Sequence, residues 1–290
     1  CLGDYAGHKN YDRDVLVYNT GSKASSIYQI KDYYKKITSQ KCCSVFHCNE
    51  SLGEKNSVKK AEQELKNRYE SLENKYDKFL AENYDYKANT YETNKINLLS
   101  NPTSLYTKQP TVYYGLMYLA KNAKKEVKIH TPYIICNDYM YNELKNIKVP
   151  TTIMTNSAEN NGNIFGAVDY LNHKKDIINT GVTIKEYEGG ISYHGKSMTI
   201  DDDIAIVGSF NMDMRSAYID TELMLVINSK DINKQLKASM EEYEKKAATV
   251  KNETEYSHIP EGMKMKELSD KKKNIKAWFG WAMNGLRFLF

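Results

Sequence analysis

From residue 112 onward the hydrophobic period of the sequence keeps switching. Helix-like spacing falls at 112–124, 137–146, 164–178 and 231–247. Between these lie short strand-like runs at 126–134, 150–155, 181–187, 193–200, 204–209 and 222–228. A strand followed by a helix can return alongside its predecessor in parallel, so this alternation predicts an α/β domain. The runs 193–200 and 204–209 are separated only by Asp201-Asp202-Asp203, which makes them an antiparallel hairpin. The central sheet is therefore expected to be largely parallel or mixed. Gly181 suits the stop of the helix before it.

The rest of the chain is less constrained. Residues 11–19 read as a strand and 25–38 as a helix. Residues 54–83 read as a long charged helix, with Leu65, Tyr69, Leu72, Tyr76 and Phe79 stepping by four and three. That stripe is either a coiled-coil seam or a face packed on its own domain, and the second is the expectation. The end of the chain, "KKKNIKAWFGWAMNGLRFLF", is basic and then aromatic. Ile275, Trp278, Phe279, Ala282 and Leu286 fit one helical face. Such a segment can lie in a membrane interface or dock on the domain, and both readings stand. These shifts divide the chain into 1–40, a helical insert at 41–96, a main domain at 97–250 and a basic amphipathic end at 251–290.

Composition excludes some classes. At 290 residues the chain can bury a real core, and 27% charged residues is globular usage. A net charge of +4, without arginine clusters, is too mild for a nucleic-acid platform, so no nucleic acid is expected as a partner. No apolar run reaches transmembrane length. The cysteines, Cys1, Cys42, Cys43, Cys48 and Cys136, have no zinc-like spacing even with His47 beside Cys48, and read as free thiols.

The chemistry concentrates in "YHGKSMTIDDDIAIVGSFNMDMRSAYIDTELMLVI", residues 193–227. Strand alternation puts His194 and Lys196 on one face. Asp201 falls out of phase and opens the turn, so it is expected to be structural, bonding locally. The hairpin returns Ser209 and Asn211 to the His194 end, and Glu222 starts the next strand. This set suits a phosphodiester. Lys196, Ser209 and Asn211 offer positive charge and donors to the equatorial oxygens. His194 can attack phosphorus or protonate a leaving oxygen. Glu222 is expected to hold the ring of His194. No carboxylate cluster here suits a metal, so neither metal nor cofactor is expected. Each residue alone would be unremarkable, and the other histidines, His8, His47, His130, His173 and His258, read as structural. The ordered pattern His-x-Lys-x4-Asp-x6-Gly-Ser-x-Asn is hard to obtain by accident.

"HGKSMTIDDDIAIVGSFN" resembles the HKD signature of the phospholipase D superfamily. "MDMRSAYIDTE" is similar to the second motif of its bacterial cardiolipin synthase-like members, and the strand ending "HTPYI" at 130–134 also looks like that subgroup. The resemblance covers most of 97–228 and is weak over 41–96. It implies a sandwich of helices around a mixed sheet. It also implies a two-step reaction through a phosphohistidine, with water or an alcohol as acceptor. A phospholipid substrate, a membrane surface and a bacterial setting follow from the subgroup. A superfamily nuclease and a non-catalytic scaffold are the alternatives.

Members of this superfamily use two such motifs, and only His194 sits in a full one. "YDRDVLVYN" at 11–19 parallels "YIDTELMLVIN" at 218–228, aligning Asp14 with Glu222 and Asp12 with Asp220. The expectation is that residues 1–40 are the tail of a first repeat whose histidine would precede residue 1. Asp14 would orient that histidine, which by resemblance is the nucleophile, and His194 would be the general acid. The chain alone is then expected to be inactive unless two copies complete the site.

Overall fold

A computed structural model describes residues 55–75, 85, 88, 90–103, 107–279, 285 and 287–289. The expected strand at 11–19, the helix at 25–38, Asp14 and four of the five cysteines lie outside these residues. The chain divides into two compact units. In the smaller, α1 spans Asn56–Lys75. Leu65 and Tyr69 are 55% and 59% exposed, so the expected packing of the stripe does not hold at those two positions. Charged neighbours on most of its surface leave this helix little apolar area to bury.

The larger unit runs from residue 91 and carries the α/β pattern. Its strands are β1 (Lys95–Ser100), β2 (Val127–His130), β3 (Ile134–Ile135), β4 (Thr151–Asn156), β5 (Thr183–Tyr187), β6 (Ser197–Ile200), β7 (Ile204–Gly208), β8 (Met212–Asp213), β9 (Leu223–Asn228), β10 (Ala247–Val250) and β11 (Tyr256–His258). Its helices are α2 (Thr111–Lys121), α3 (Asp138–Lys145), α4 (Ile164–Ile178), α5 (Met214–Tyr218), α6 (Lys230–Glu244) and α7 (Asp270–Phe279).

The described strands form a sheet in the order β1-β9-β7-β6-β2-β4-β5-β10-β11, with β3 and β8 paired beside it. β2, β4 and β5 run parallel and their neighbours antiparallel, so the sheet is mixed as expected. Alternation along β9 sorts its side chains. Met224 and Val226 face the core under α2, α3 and α4, while Leu225 and Ile227 meet Leu236 and Met240 of α6. Both faces are covered, which makes a helix–sheet–helix sandwich. Fully burying a side chain such as Ile206 stabilises it by about 1.5–3 kcal/mol.

Several boundaries differ from the sequence reading. The run 126–134 breaks after His130, and its end forms the separate β3 pairing with β8. Pro132 lies in the break and lacks the N–H a ladder needs. The strand expected at 193–200 begins only at Ser197. The helix expected to reach 247 stops at Glu244, and β10 and β11 extend the sheet into the segment read as an amphipathic end. In α7, Ile275 is half-buried while Trp278 is 81% exposed, so these two do not share a buried face. None of the described helices is long and apolar enough to cross a membrane.

Candidate active site

The hairpin β6–β7 sets the frame. At its turn, Asp201 adopts a left-handed φ of +51°, which Asp tolerates better than most residues. Its carboxylate accepts from the backbone N–H of Lys124 (2.9 Å), Lys125 (2.7 Å) and Glu126 (3.2 Å). These bonds reach the loop between α2 and β2, where the sequence reading had local ones. Burial opposes the charge, but the three N–H donors outweigh it and hold the carboxyl below its usual value.

At the other end, His194 and Lys196 precede β6 rather than lying in it. Strand parity is therefore not what joins them. The Lys196 side chain folds back instead. Its Nζ lies 2.6 Å from His194 Nδ1 and 3.2 Å from Nε2, and donates to the His194 carbonyl at 2.6 Å. An ammonium only donates, so the ring nitrogen it bonds is an acceptor. Lys196 is buried and His194 half-buried.

β7 ends at Gly208, where an added Cβ would lie 2.2 Å from the Leu223 carbonyl oxygen. Only glycine allows that close approach of two strands. Ser209 follows. Its N–H donates to the Leu223 carbonyl (2.9 Å), and its Oγ accepts from the Leu223 N–H (3.1 Å). Asn211 Nδ2 donates to Ser216 Oγ at 3.2 Å. Asn211 Oδ1 is buried and makes no hydrogen bond among the described residues, which leave part of this amide unused.

Glu222 is buried, and its Oε1 accepts from Ser216 Oγ at 3.0 Å. The sequence reading set Glu222 against the ring of His194; the partners found are Ser216 and Ser209, with Lys196 near enough to attract its charge. Burial pushes its carboxyl up, both hydroxyls oppose that, Asp220 reinforces it and Lys196 opposes it.

Ser216 is the residue that sequence reasoning missed. It is fully buried at the first turn of α5 and joins Asn211 to Glu222. Asp213, the N-cap of α5, accepts from the Ser216 N–H at 2.5 Å. The spacing Asp213-x-x-Ser216 is a helix-start signal, and it was the one available clue. Burial pushes the Asp213 carboxyl up to about 7, against the Ser216 N–H and with help from Glu222. On the opposite flank, His130 Nδ1 lies 3.3 Å from Tyr193 Oη, and Nε2 lies 3.2 Å from Glu244 Oε1. Among the described residues, no group of three or more His, Cys, Asp or Glu is arranged to hold a metal.

Residues 116–243, from α2 through α6, match the family described as "Cardiolipin synthase, PLD-like domain". The hairpin, His194 and Ser216 all lie inside this matched region. Among curated relatives, cardiolipin synthase 1 of Staphylococcus epidermidis is 30% identical over 159 residues, covering 54% of this chain and 32% of the relative. Cardiolipin synthase of Staphylococcus aureus strain Mu50 is 31% identical over 129 residues, covering 43% and 26%. The chain therefore spans about a third or less of the length of these relatives. Phosphatidylserine synthase of Haemophilus influenzae Rd KW20 has a similar fold, with a TM-score of 0.50 and 16% identity, over 68% of this chain and 48% of that one.

Proposed function

We propose that this chain supplies one catalytic half of a phosphatidyltransferase or phospholipase acting on phospholipids at a bacterial membrane. The observation that carries this reading is the His194–Lys196 pair, held at 2.6 Å beside the Ser209, Asn211 and Glu222 ends of the neighbouring strands. The curated relatives named above as cardiolipin synthases support a lipid substrate.

In the first step a second histidine attacks phosphorus and forms a P–N bond. The P–O bond to the leaving alcohol breaks, and His194 gives that oxygen its proton. In the second step the acceptor, an alcohol or water, attacks phosphorus and breaks the P–N bond, while His194 takes the acceptor's proton. Lys196 holds the equatorial oxygens, taking up substrate in place of its contact with the His194 ring. Asn211 adds a donor if its amide turns over. Glu222 acts through Ser216 and through its attraction to Lys196. The second histidine comes from a further part of the protein or from a second copy, and Asp14 would hold it.

The test is turnover by the natural full-length protein, wild type and His194→Ala, on phosphatidylglycerol liposomes and on single-stranded DNA. Lipid turnover that falls by about 10³-fold or more in the variant supports the proposal. Cleavage of DNA instead makes the chain a superfamily nuclease, and turnover of neither makes it a non-catalytic scaffold.

A further inference from the structure

Residues 188–196 belong to no helix or strand, yet they carry His194. Their position depends on side chains reaching in from elsewhere. Asn156, at the end of β4, is buried and acts on Tyr193 as a neighbouring strand would. Its Nδ2 donates to the Tyr193 carbonyl (2.8 Å), and its Oδ1 accepts from the Tyr193 N–H (2.7 Å). Asn160 repeats the device. Its Oδ1 accepts from the Gly190 N–H (3.1 Å), and its Nδ2 donates to the Ile191 carbonyl (3.2 Å). The two asparagines are joined through Asn160 Nδ2 and Asn156 Oδ1 at 3.1 Å. The loop before His194 thus hangs from residues 156–160.

Those residues hang in turn from the C-terminal helix. Lys272 of α7 is 7% exposed. Its Nζ donates to the carbonyls of Ala158 (2.8 Å), Glu159 (2.5 Å) and Asn161 (3.0 Å). An ammonium has three donors, and all three are spent on one turn. Lysine usually keeps its head in water, and burying it costs free energy that full hydrogen bonding offsets. The Glu159 carboxylate lies 3.8 Å from the same Nζ and also accepts from the Ser269 N–H just before α7. Few ways of seating that turn satisfy all of these bonds.

We infer that Lys272 is a positioning residue for His194, acting through the 157–161 turn and the side chains of Asn156 and Asn160. The inference deepens the proposed function and rests on His194 being the reacting imidazole. An imidazole displaced by about 1 Å loses up to 10²-fold in rate, so a contact this remote matters to the chemistry.

The test uses the 290-residue protein and needs no turnover. The rate of His194 modification by diethylpyrocarbonate is compared with that of His173 and His258, and the ring nitrogens of His194 are followed by NMR. Lys272→Met should raise the His194 rate at least about threefold, because the loop opens locally more often, and should move its ring signals. Lys271→Met, the same charge change on the exposed neighbour, should move neither. Lys272→Arg, which keeps the charge and the donors, should restore part of the effect. Should Lys272→Met fail to fold, Asn160→Ala cuts the strap to Gly190 and Ile191 together with the bond to Asn156, leaves Lys272 in place, and should give the same rise. Wild-type His194 reactivity and ring signals in either folded variant would overturn the inference. In active full-length protein, Lys272→Met should lower kcat and leave KM unchanged. If His194→Ala keeps full activity there, the reading of the site fails, while the labelling result still decides what holds the loop.

Discussion

The two flanks of His194 each bury a carboxylate, and they treat it in opposite ways. On one side, Glu244 meets His130 Nε2 (3.2 Å), Lys185 Nζ (2.6 Å) and Lys128 Nζ (3.6 Å). Burial alone would push its carboxyl up, but these partners outweigh it and bring it to about 2. On the other side, Asp213 has the N–H and the hydroxyl of Ser216 set against its burial, with Glu222 nearby, and is pushed up to about 7. The first flank has cations enough to hold a fixed charge, which is what a scaffold needs. The second holds charge reluctantly and is built of neutral donors around Ser216. Perturbed acids of that kind are characteristic of reactive sites. Burial is shared by both flanks, so what separates them is the partner set.

Removing the charge from each flank should break the comparison in opposite directions. Glu244→Gln leaves His130 and Lys185 without their anion and Lys128 with Glu241 alone, and should destabilise the domain by about 3 kcal/mol at neutral pH, measured by urea unfolding. Because the folded pKa lies below the ordinary 4.5, this contribution is present above about pH 4.5 and fades as pH falls towards 2. The variant should therefore lose less stability than wild type on acidification through that range.

Asp213→Asn should do the reverse. Its folded pKa is raised above the ordinary 3.8, so its contribution is full below about pH 3.8 and is lost as pH rises through 7. Asparagine caps a helix as well as aspartate and stays neutral. The variant should be more stable than wild type at pH 8 by about 2 kcal/mol and nearly flat where wild type declines. A variant no more stable than wild type at pH 8 would show that Asp213 is ionised at little cost.

The smallest effect on stability belongs to Ser216→Ala. It removes the bridge between Asn211 and Glu222 and should cost about 1 kcal/mol in thermal unfolding. Its cost in kcat of the full-length protein should be larger, about tenfold or more, if the bridge serves the chemistry. Equal losses in stability and activity would make the second flank a scaffold like the first.

How much of this was legible in the sequence depended on distance along the chain. The helix at 164–178 was legible to the residue because its period is local and Gly181 marks its stop. β9 was read within a residue, since its alternation faces two cores. The pairing of His194 with Lys196 was expected for the wrong reason. A strand was assumed, whereas the lysine folds back from a loop. Ser216 was passed over because a serine shows no chemistry until Asn211 and Glu222 are brought to it.

What the sequence determined by itself was the α/β alternation, the acidic hairpin turn and the ordered set of polar groups from His194 to Glu222. These are carried by period and by spacing over a few residues. Tertiary structure alone decided which carboxylate carries a compensated charge, and that Asp201 bonds to residues 124–126. It also brought Asn156 to Tyr193 and Lys272 to Ala158, contacts 37 and 114 residues apart. Hydrogen bonds and burial depend on position in space, and no spacing along the chain encodes them.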